Sequence, residues 1–131
     1  HYRNNAQSMT AAFDPHLTET IFIPLDILRT YFDTDKRALF AQYQMYAVYL
    51  LQLWVRNQAS LDCDLDRKGL RQSCARVCQN QELRALLASV PGALPRQVAV
   101  AVRAVQQQKP GQLYLLIKAW NLYYKLRNGR A

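Results

Sequence analysis

A run of eighteen residues without a charged side chain, residues 38 to 55, constrains the fold of this chain more than any other feature of its sequence. Its large apolar side chains recur at intervals of three and four residues, the spacing of one helical face. Three glutamines and three tyrosines dilute the run, which favours a buried core helix over a membrane span. The sequence therefore predicts a central helix over about residues 35 to 59, with the other elements packed around it.

Helical patterns separated by turn signals fill most of the remaining chain. One pattern runs from Asp14 to Asp33, and Pro24 predicts either a kink or a division into two short helices; an extended segment before a helix at 25 to 33 is the alternative. The other predicted helices are 67 to 78, 81 to 90, 95 to 109 and 112 to 127. Oxygen-bearing side chains that suit helix N-caps precede several of these segments: Asp14, Asp33, Thr34, Asp35, Asp66 and Asn80.

The turn at residues 109 to 111 is so short that the last two helices must be antiparallel neighbours. No segment has the alternation of a half-buried strand. We therefore expect an all-α fold, a compact bundle of five or six helices in a single domain, closed by a C-terminal antiparallel helical hairpin. A chain of 131 residues suits one such domain. The polar residues 1 to 13 are expected to be a flexible leader or tether, and residues 14 to 131 the helical domain.

The net charge of +8 belongs entirely to the last third of the chain. Residues 1 to 82 contain nine basic and nine acidic side chains, whereas residues 83 to 131 contain eight basic side chains and no acidic one. Such asymmetry is typical of a protein that meets an anionic partner. A solvated basic face without a specific ligand is the alternative that this pattern leaves open.

Within this segment the basic residues are regularly spaced. Arg96 and Arg103 are seven residues apart, as are Lys118 and Lys125, so each pair lies on one helical face. Apolar residues on the opposite faces predict that both helices dock on a core and turn a basic stripe outward. Tyr114 and Asn121 fall off the predicted core stripe, near the lysines. The predicted partner-binding residues are Arg96, Arg103, Tyr114, Lys118, Asn121, Lys125 and Arg127.

Three cysteines, Cys63, Cys74 and Cys78, allow one disulfide and one free thiol, an intermolecular bridge, or three reduced thiols. A bridge from Cys63 to Cys74 or Cys78 is predicted if the protein is exported, to the periplasm or outside the cell. The cysteine spacing matches no usual zinc pattern, so no metal site is predicted.

The sequence contains few residues that are suited to catalysis. The two histidines, His1 and His16, lie at the terminus and in the first predicted helical turn, and no glycine-rich loop is present to bind a phosphate. Four of the nine acidic side chains, Asp14, Asp33, Asp35 and Asp66, already serve as predicted caps. We therefore expect neither an enzyme nor a cofactor, although chemistry near the three cysteines is a minor alternative.

The sequence thus predicts a non-catalytic helical interaction module, or an accessory or assembly subunit, whose basic C-terminal face docks on an acidic partner protein. An anionic membrane surface is a second candidate partner. The alternative is a DNA- or RNA-binding protein that uses the same face. A helix-turn-helix over "LRALLASVPGALPRQVAV" is disfavoured, because its turn holds two prolines and its second helix is mostly valine and alanine. The oligomeric state is left open.

Overall fold

The uncharged run forms the centre of the bundle. A computed structural model of the protein describes residues 13–28, 37–90 and 93–129. In these ranges seven helices and no strand occur: α1 Leu17–Thr20, α2 Ile23–Leu28, α3 Arg37–Gln58, α4 Arg67–Cys78, α5 Gln81–Leu87, α6 Arg96–Gln106 and α7 Pro110–Gly129. The all-α fold is confirmed, and α1 and α2 counted as one broken segment give six helical segments among the described residues. The predicted leader lies, except for Phe13, outside them.

Helix α3 is buried over most of its circumference. Ala47 and Trp54 have no exposed surface, and Leu51 is almost fully covered. The helix packs against α1, α5, α6 and α7. Among its side chains from residue 40 onward, those exposed to solvent are Gln42, Met45, Tyr49 and Arg56. The prediction of a central apolar helix is confirmed. In the described part of the chain, no helix combines the length and the hydropathy needed to cross a membrane.

The N-terminal segment is divided into two short helices, and the division precedes Pro24. Ile21 and Phe22 form the turn between α1 and α2, and both are buried. Pro24 is the second residue of α2, a position where its missing N–H removes no intrahelical bond. The prediction of two short helices is confirmed, and the extended alternative is wrong. The predicted end of this segment, near Asp33, lies outside the described residues.

Two hydrogen bonds fasten this segment to α3. The indole N–H of Trp54 donates to Thr18 Oγ1 over 2.9 Å. The hydroxyl of Tyr43 donates to the backbone carbonyl of Leu25. Both aromatic side chains are buried, and a buried polar group needs such a partner. The two bonds therefore set the position of α1 and α2 on the central helix.

Two of the predicted caps are confirmed. The Asp66 carboxylate accepts a hydrogen bond of 2.7 Å from the Gly69 N–H, and Asn80 Oδ1 accepts one of 3.0 Å from the Leu83 N–H. Asp14 does not cap α1: its carboxylate accepts from the His16 N–H, in the turn before the helix. The caps predicted at residues 33 to 35 lie outside the described residues.

Helix α5 ends at Leu87, three residues before the predicted end, because side chains of other helices bind its last carbonyls. The amide of Gln44 on α3 donates to the carbonyls of Leu86 and Ser89, over 3.1 and 2.6 Å. The amide of Gln106 on α6 donates to the carbonyl of Leu87. These long-range bonds satisfy carbonyls that the end of a helix leaves free.

The C-terminal hairpin is formed by α6 and α7, which pack against each other more extensively than any other described pair of helices. Helix α7 begins at Pro110 rather than at residue 112, since proline is favoured at the first helical position. Gln108, in the turn, has a φ angle of 52°, which suits the tight reversal. Helix α7 also packs on α4 and α3, and so closes the bundle.

We predict that alanine substitutions of two aspartates in one loop lower the stability of the fold by different amounts, because only Asp66 caps a helix. Replacing Asp66 by Ala removes the acceptor for the Gly69 N–H and should lower the free energy of unfolding by about 1 kcal/mol. Asp64→Ala is the control, because Asp64 is exposed and caps no helix; its change should stay within about 0.5 kcal/mol. Urea denaturation followed by circular dichroism measures both, and equal losses would contradict the assignment.

Candidate functional site

Helix α7 has two apolar faces, of which one lies in the core. Leu113 and Ile117 are fully buried on that side. On the opposite side, Leu115, Leu122 and Leu126 are 66%, 57% and 56% exposed. At about 100° per residue these three leucines lie close to one line along the helix. We call Leu115, Leu122 and Leu126, with the exposed Ala119 between them, the outward stripe.

An aromatic cluster adjoins the outward stripe. Trp120 meets Tyr123 edge to face, with ring centroids 5.7 Å apart, and Tyr124 at 5.6 Å. Tyr123 is 51% exposed. Together with Leu116 and Ala119, Trp120 and Tyr123 line a shallow depression beside the stripe. Large aromatic side chains of this kind supply much of the binding energy in protein interfaces.

The predicted basic residues of α7 lie on both sides of the outward stripe, Lys118 and Lys125 on one side and Arg127 on the other. Arg96 and Arg103 are exposed on α6, and Lys118, Lys125 and Arg127 are exposed on α7. Leu116 and Trp120 line a cleft with Gln97, Val98 and Ala101, which identifies the side of α7 that faces α6.

Lys118 and Lys125 lie roughly 140° to 180° around the helix from Leu116 and Trp120, on the side away from α6. The predicted single basic stripe from Arg96 to Lys125 is therefore wrong. The cations form two edges, and apolar surface separates them.

Tyr114 lies in the core, so its predicted place on an exposed flank is also wrong. It is only 8% exposed. The guanidinium of Arg71 on α4 covers its ring, with Cζ 4.7 Å from the ring centroid. Contacts between a cation and an aromatic face contribute about 0.5 to 1 kcal/mol at exposed sites. Arg71 was not predicted as a site residue, because the charges of residues 1 to 82 cancel in the sequence.

Asn121 is half-buried, and its amide is used within the fold. Nδ2 donates to the carbonyl of Ala59 over 2.9 Å and also approaches the carbonyl of Ser60 at 3.5 Å. These carbonyls directly follow the last turn of α3. Asn121 therefore joins α7 to the end of α3, and the structure gives it a supporting role beside the surface.

Lys118 borders the acidic loop between α3 and α4. Its charge acts on the Cys63 thiol, as do the charges of Asp62 and Asp64. Burial is the main cause that raises the pKa of Cys63; the aspartates add to the rise, whereas a hydrogen bond with the Leu65 backbone and the Lys118 ammonium oppose it. Both aspartates are exposed. Lys118 therefore lies near the acidic loop, and Lys125 lies two turns farther along the helix.

The three cysteines are free thiols, and the predicted disulfide is not formed. Cys63 is half-buried in the loop, whereas Cys74 and Cys78 point into the core, where the Cys78 thiol meets the Ala104 carbonyl at 3.8 Å. Burial, with a smaller contribution from Cys78, raises the pKa of Cys74 from 9.0 to about 12. Burial raises that of Cys78 to about 11, although Arg84 opposes the rise. Protonated thiols at these positions are poor nucleophiles.

Across the described ranges, no group of three His, Cys, Asp or Glu side chains is placed to hold a metal ion. His16 is exposed in the turn before α1, and His1 lies outside those ranges. The outward stripe, bordered by Lys118 and Lys125 on one side and Arg127 on the other, is an exposed apolar surface of α7. Its three leucines were not predicted from the sequence, since a helix that is apolar on both sides gives no periodic signal for the side that faces solvent.

The role of Asn121 can be separated from that of its charged neighbour. Asn121→Ala leaves the carbonyls at the end of α3 without their donor and should lower the free energy of unfolding by about 1 to 2 kcal/mol. Lys125→Ala, one turn later on the same helix and exposed, should change it by less than about 0.5 kcal/mol. Chemical denaturation of the two variants measures the difference; a neutral Asn121→Ala would contradict the supporting role.

Because Cys74 and Cys78 are buried thiols with raised pKa values, we predict that the folded protein loses stability at high pH. Because the folded-state pKa values of Cys74 and Cys78 lie above 9.0, their contribution to the free energy of unfolding is complete below about pH 9. It is lost as the pH rises from about 9 to about 12, since the unfolded thiols ionise first.

The Cys74→Ala variant should therefore lose stability less steeply between pH 9 and pH 11 than the wild type does, in urea titrations at several pH values. Cys63→Ala, which removes the half-buried loop thiol, is the matched control and should keep most of the wild-type slope. Parallel curves for wild type and Cys74→Ala would refute the pKa assignment.

Comparison of the chain with family models, with curated proteins and with solved structures finds no match. The outward stripe of α7, with Lys118, Lys125 and Arg127 beside it, is an apolar surface that the packing of the fold leaves exposed.

Proposed function

We propose that this protein is a non-catalytic helical interaction module, an accessory or assembly subunit, whose C-terminal face binds an acidic partner protein. The observation that carries the proposal is the outward stripe: Leu115, Leu122 and Leu126 are each more than half exposed in line on one helix. Scattered exposed leucines are ordinary, but aligned apolar side chains with charged borders are typical of interaction sites.

The apolar surface favours a partner that removes it from water. Full burial of a leucine side chain contributes about 1.5 to 3 kcal/mol, and three leucines with Tyr123 beside them form a continuous contact. The last described turns of α7 add to this surface, because no side chain from residue 122 to residue 128 is fully buried. This end of the helix therefore has free side-chain surface on most sides.

The charges favour an acidic partner. Lys118 and Lys125 border the stripe on one side, and Arg127 lies on the other side, the one that faces α6. Residues 83 to 131 contain no carboxylate side chain that would pair with these groups. Charged groups at the rim of an interface mainly steer the encounter and select the partner.

Nucleic acid remains the alternative partner for the same cations. Phosphate contacts from Lys118, Lys125 and Arg127 would place the leucines of the stripe against a hydrated, charged backbone, where they gain little. A protein surface with apolar side chains bordered by carboxylates complements both parts of the face. The exposed leucines therefore favour a protein partner.

Charge reversal tests the proposal. The double variant Lys125→Glu and Arg127→Glu changes two exposed side chains beside the stripe, away from the acidic loop. Capture from a native extract, with mass spectrometry to identify the proteins, should yield an acidic partner with wild type and about tenfold less of it with the variant.

The matched control is Arg67→Glu with Lys68→Glu, which makes the same change in net charge at exposed positions on α4. It should capture as wild type does. Equal capture by both double variants would refute the C-terminal face as the contact. Titration with mixed-sequence DNA and RNA gives the other outcome: tight binding that falls steeply with salt would establish the nucleic-acid alternative instead.

A further inference from the structure

The outward stripe has the spacing of a coiled-coil seam. Leu115, Ala119, Leu122 and Leu126 follow one another at intervals of four, three and four residues. This is the repeat of positions a and d of a heptad, with Ala119 and Leu126 at a and Leu115 and Leu122 at d. The seam extends about 16 Å along the helix. We propose that α7 binds an acidic α-helix of the partner protein through this seam, an inference that rests on the proposed function.

In the same register, Lys118 and Lys125 both occupy g positions, which border the seam in a coiled coil. Side chains at g form ion pairs with a partner helix and set its identity and direction. The core contacts of α7 come mainly from b, c and f: Leu113 and Trp120 at b, Tyr114 and Asn121 at c, and Ile117 and Tyr124 at f; Leu116 at e is half-buried against the same core. One side of α7 thus holds the bundle together, while a and d are left for another helix.

A second copy of this chain fits the seam poorly. If two α7 helices paired antiparallel, each g position would face a g position of the other copy, and lysine would oppose lysine. In a parallel pair, g faces e, and Tyr123 at e offers no carboxylate. Like charges across an interface disfavour association, so the occupant is a helix that brings its own acidic residues.

A lipid surface also fits less well. A stripe restricted to a and d is narrower than the apolar sector of a helix that lies in a membrane interface. On the α6 side the exposed apolar surface widens mainly by Tyr123, because Leu116 is half-buried and lines the cleft with α6. On the other side, the exposed Asp62 and Asp64 near Lys118 would repel an anionic bilayer.

The charges also predict where the ion pairs form. Lys118 adjoins the loop that carries the exposed Asp62 and Asp64, whereas Lys125 lies two turns farther along the helix, so we expect the partner's carboxylates to pair mainly with Lys125. The seam covers less than two heptads, which is short for an isolated coiled coil, so the flanking cations and the aromatic cluster of Trp120, Tyr123 and Tyr124 contribute to the contact.

A designed peptide tests the inference on the full chain. The probe is a synthetic helical peptide of three heptads with leucine at a and d and glutamate at e and g; its matched counterpart carries lysine at e and g. At low salt, fluorescence anisotropy should show that the acidic peptide binds about tenfold or more tightly than the basic one. Lys125→Gln should reduce this preference, because the main ion pair is lost.

Two serine variants with equally exposed parent residues test the seam itself. Leu122→Ser removes a d residue that is 57% exposed, and Ile27→Ser changes a residue that is 58% exposed on α2, elsewhere on the molecule. Leu122→Ser should weaken binding of the acidic peptide about tenfold, whereas Ile27→Ser should leave it unchanged. Circular dichroism and urea denaturation confirm that both variants fold.

Several results would overturn the inference. They are equal binding of the two peptides, absence of binding by the acidic peptide, or equal effects of Leu122→Ser and Ile27→Ser.

Binding of vesicles of equal parts phosphatidylserine and phosphatidylcholine through Leu122, without peptide binding, would assign the stripe to a lipid surface. A concentration-dependent dimer that Leu122→Ser abolishes, and that the peptide does not displace, would assign it to a second copy. If the peptides fail while charge reversal still abolishes capture of an acidic protein, the helical seam is wrong and the proposed function stands.

Discussion

Burial of the uncharged helix α3 is the constraint on which the rest of the structure depends. A helix whose apolar side chains cover most of its circumference is stable only when other elements exclude water from several sides. Helices α1, α5, α6 and α7 provide this cover, and Trp54 and Leu51 are almost completely enclosed. Elements that are too short to be stable alone, such as α1 and α2, exist because they pack on this helix.

Polar side chains on the long helices decide how the neighbouring elements are placed. Gln44 binds the end of α5, and Asn121 binds the end of α3. Trp54 and Tyr43 hold the N-terminal helices. Each of these bonds satisfies a group that would otherwise be buried without a partner, which costs about 1 to 3 kcal/mol. Gln44, one of the three glutamines that interrupt the apolar run of α3, thus binds the end of a neighbouring helix.

In the function that we propose, helix α7 serves both the fold and a partner. Its b, c and f positions join the core, while leucines at a and d remain exposed. The outward stripe is already helical in the folded protein. A preformed helix loses little conformational entropy when it binds, which would suit the proposed interaction module.

Local patterns in the sequence determined the helices and much of their order. The long apolar run, the caps at Asp66 and Asn80 and the short turn at residues 109 to 111 act over a few residues, so they predict the central helix, two helix starts and the hairpin. The end of α5 could not be predicted, since the side chains that bind its carbonyls come from α3 and α6.

The acid-free last third of the chain predicted where the positive charge lies, but not its arrangement. Only the tertiary structure decided that Tyr114 is buried under Arg71, that Asn121 supports the fold, and that three leucines face outward between two cationic edges. The physical reason is that α7 is apolar on two sides, and periodicity cannot choose between them; the choice belongs to the neighbouring helices, which cover one side and leave the other in water.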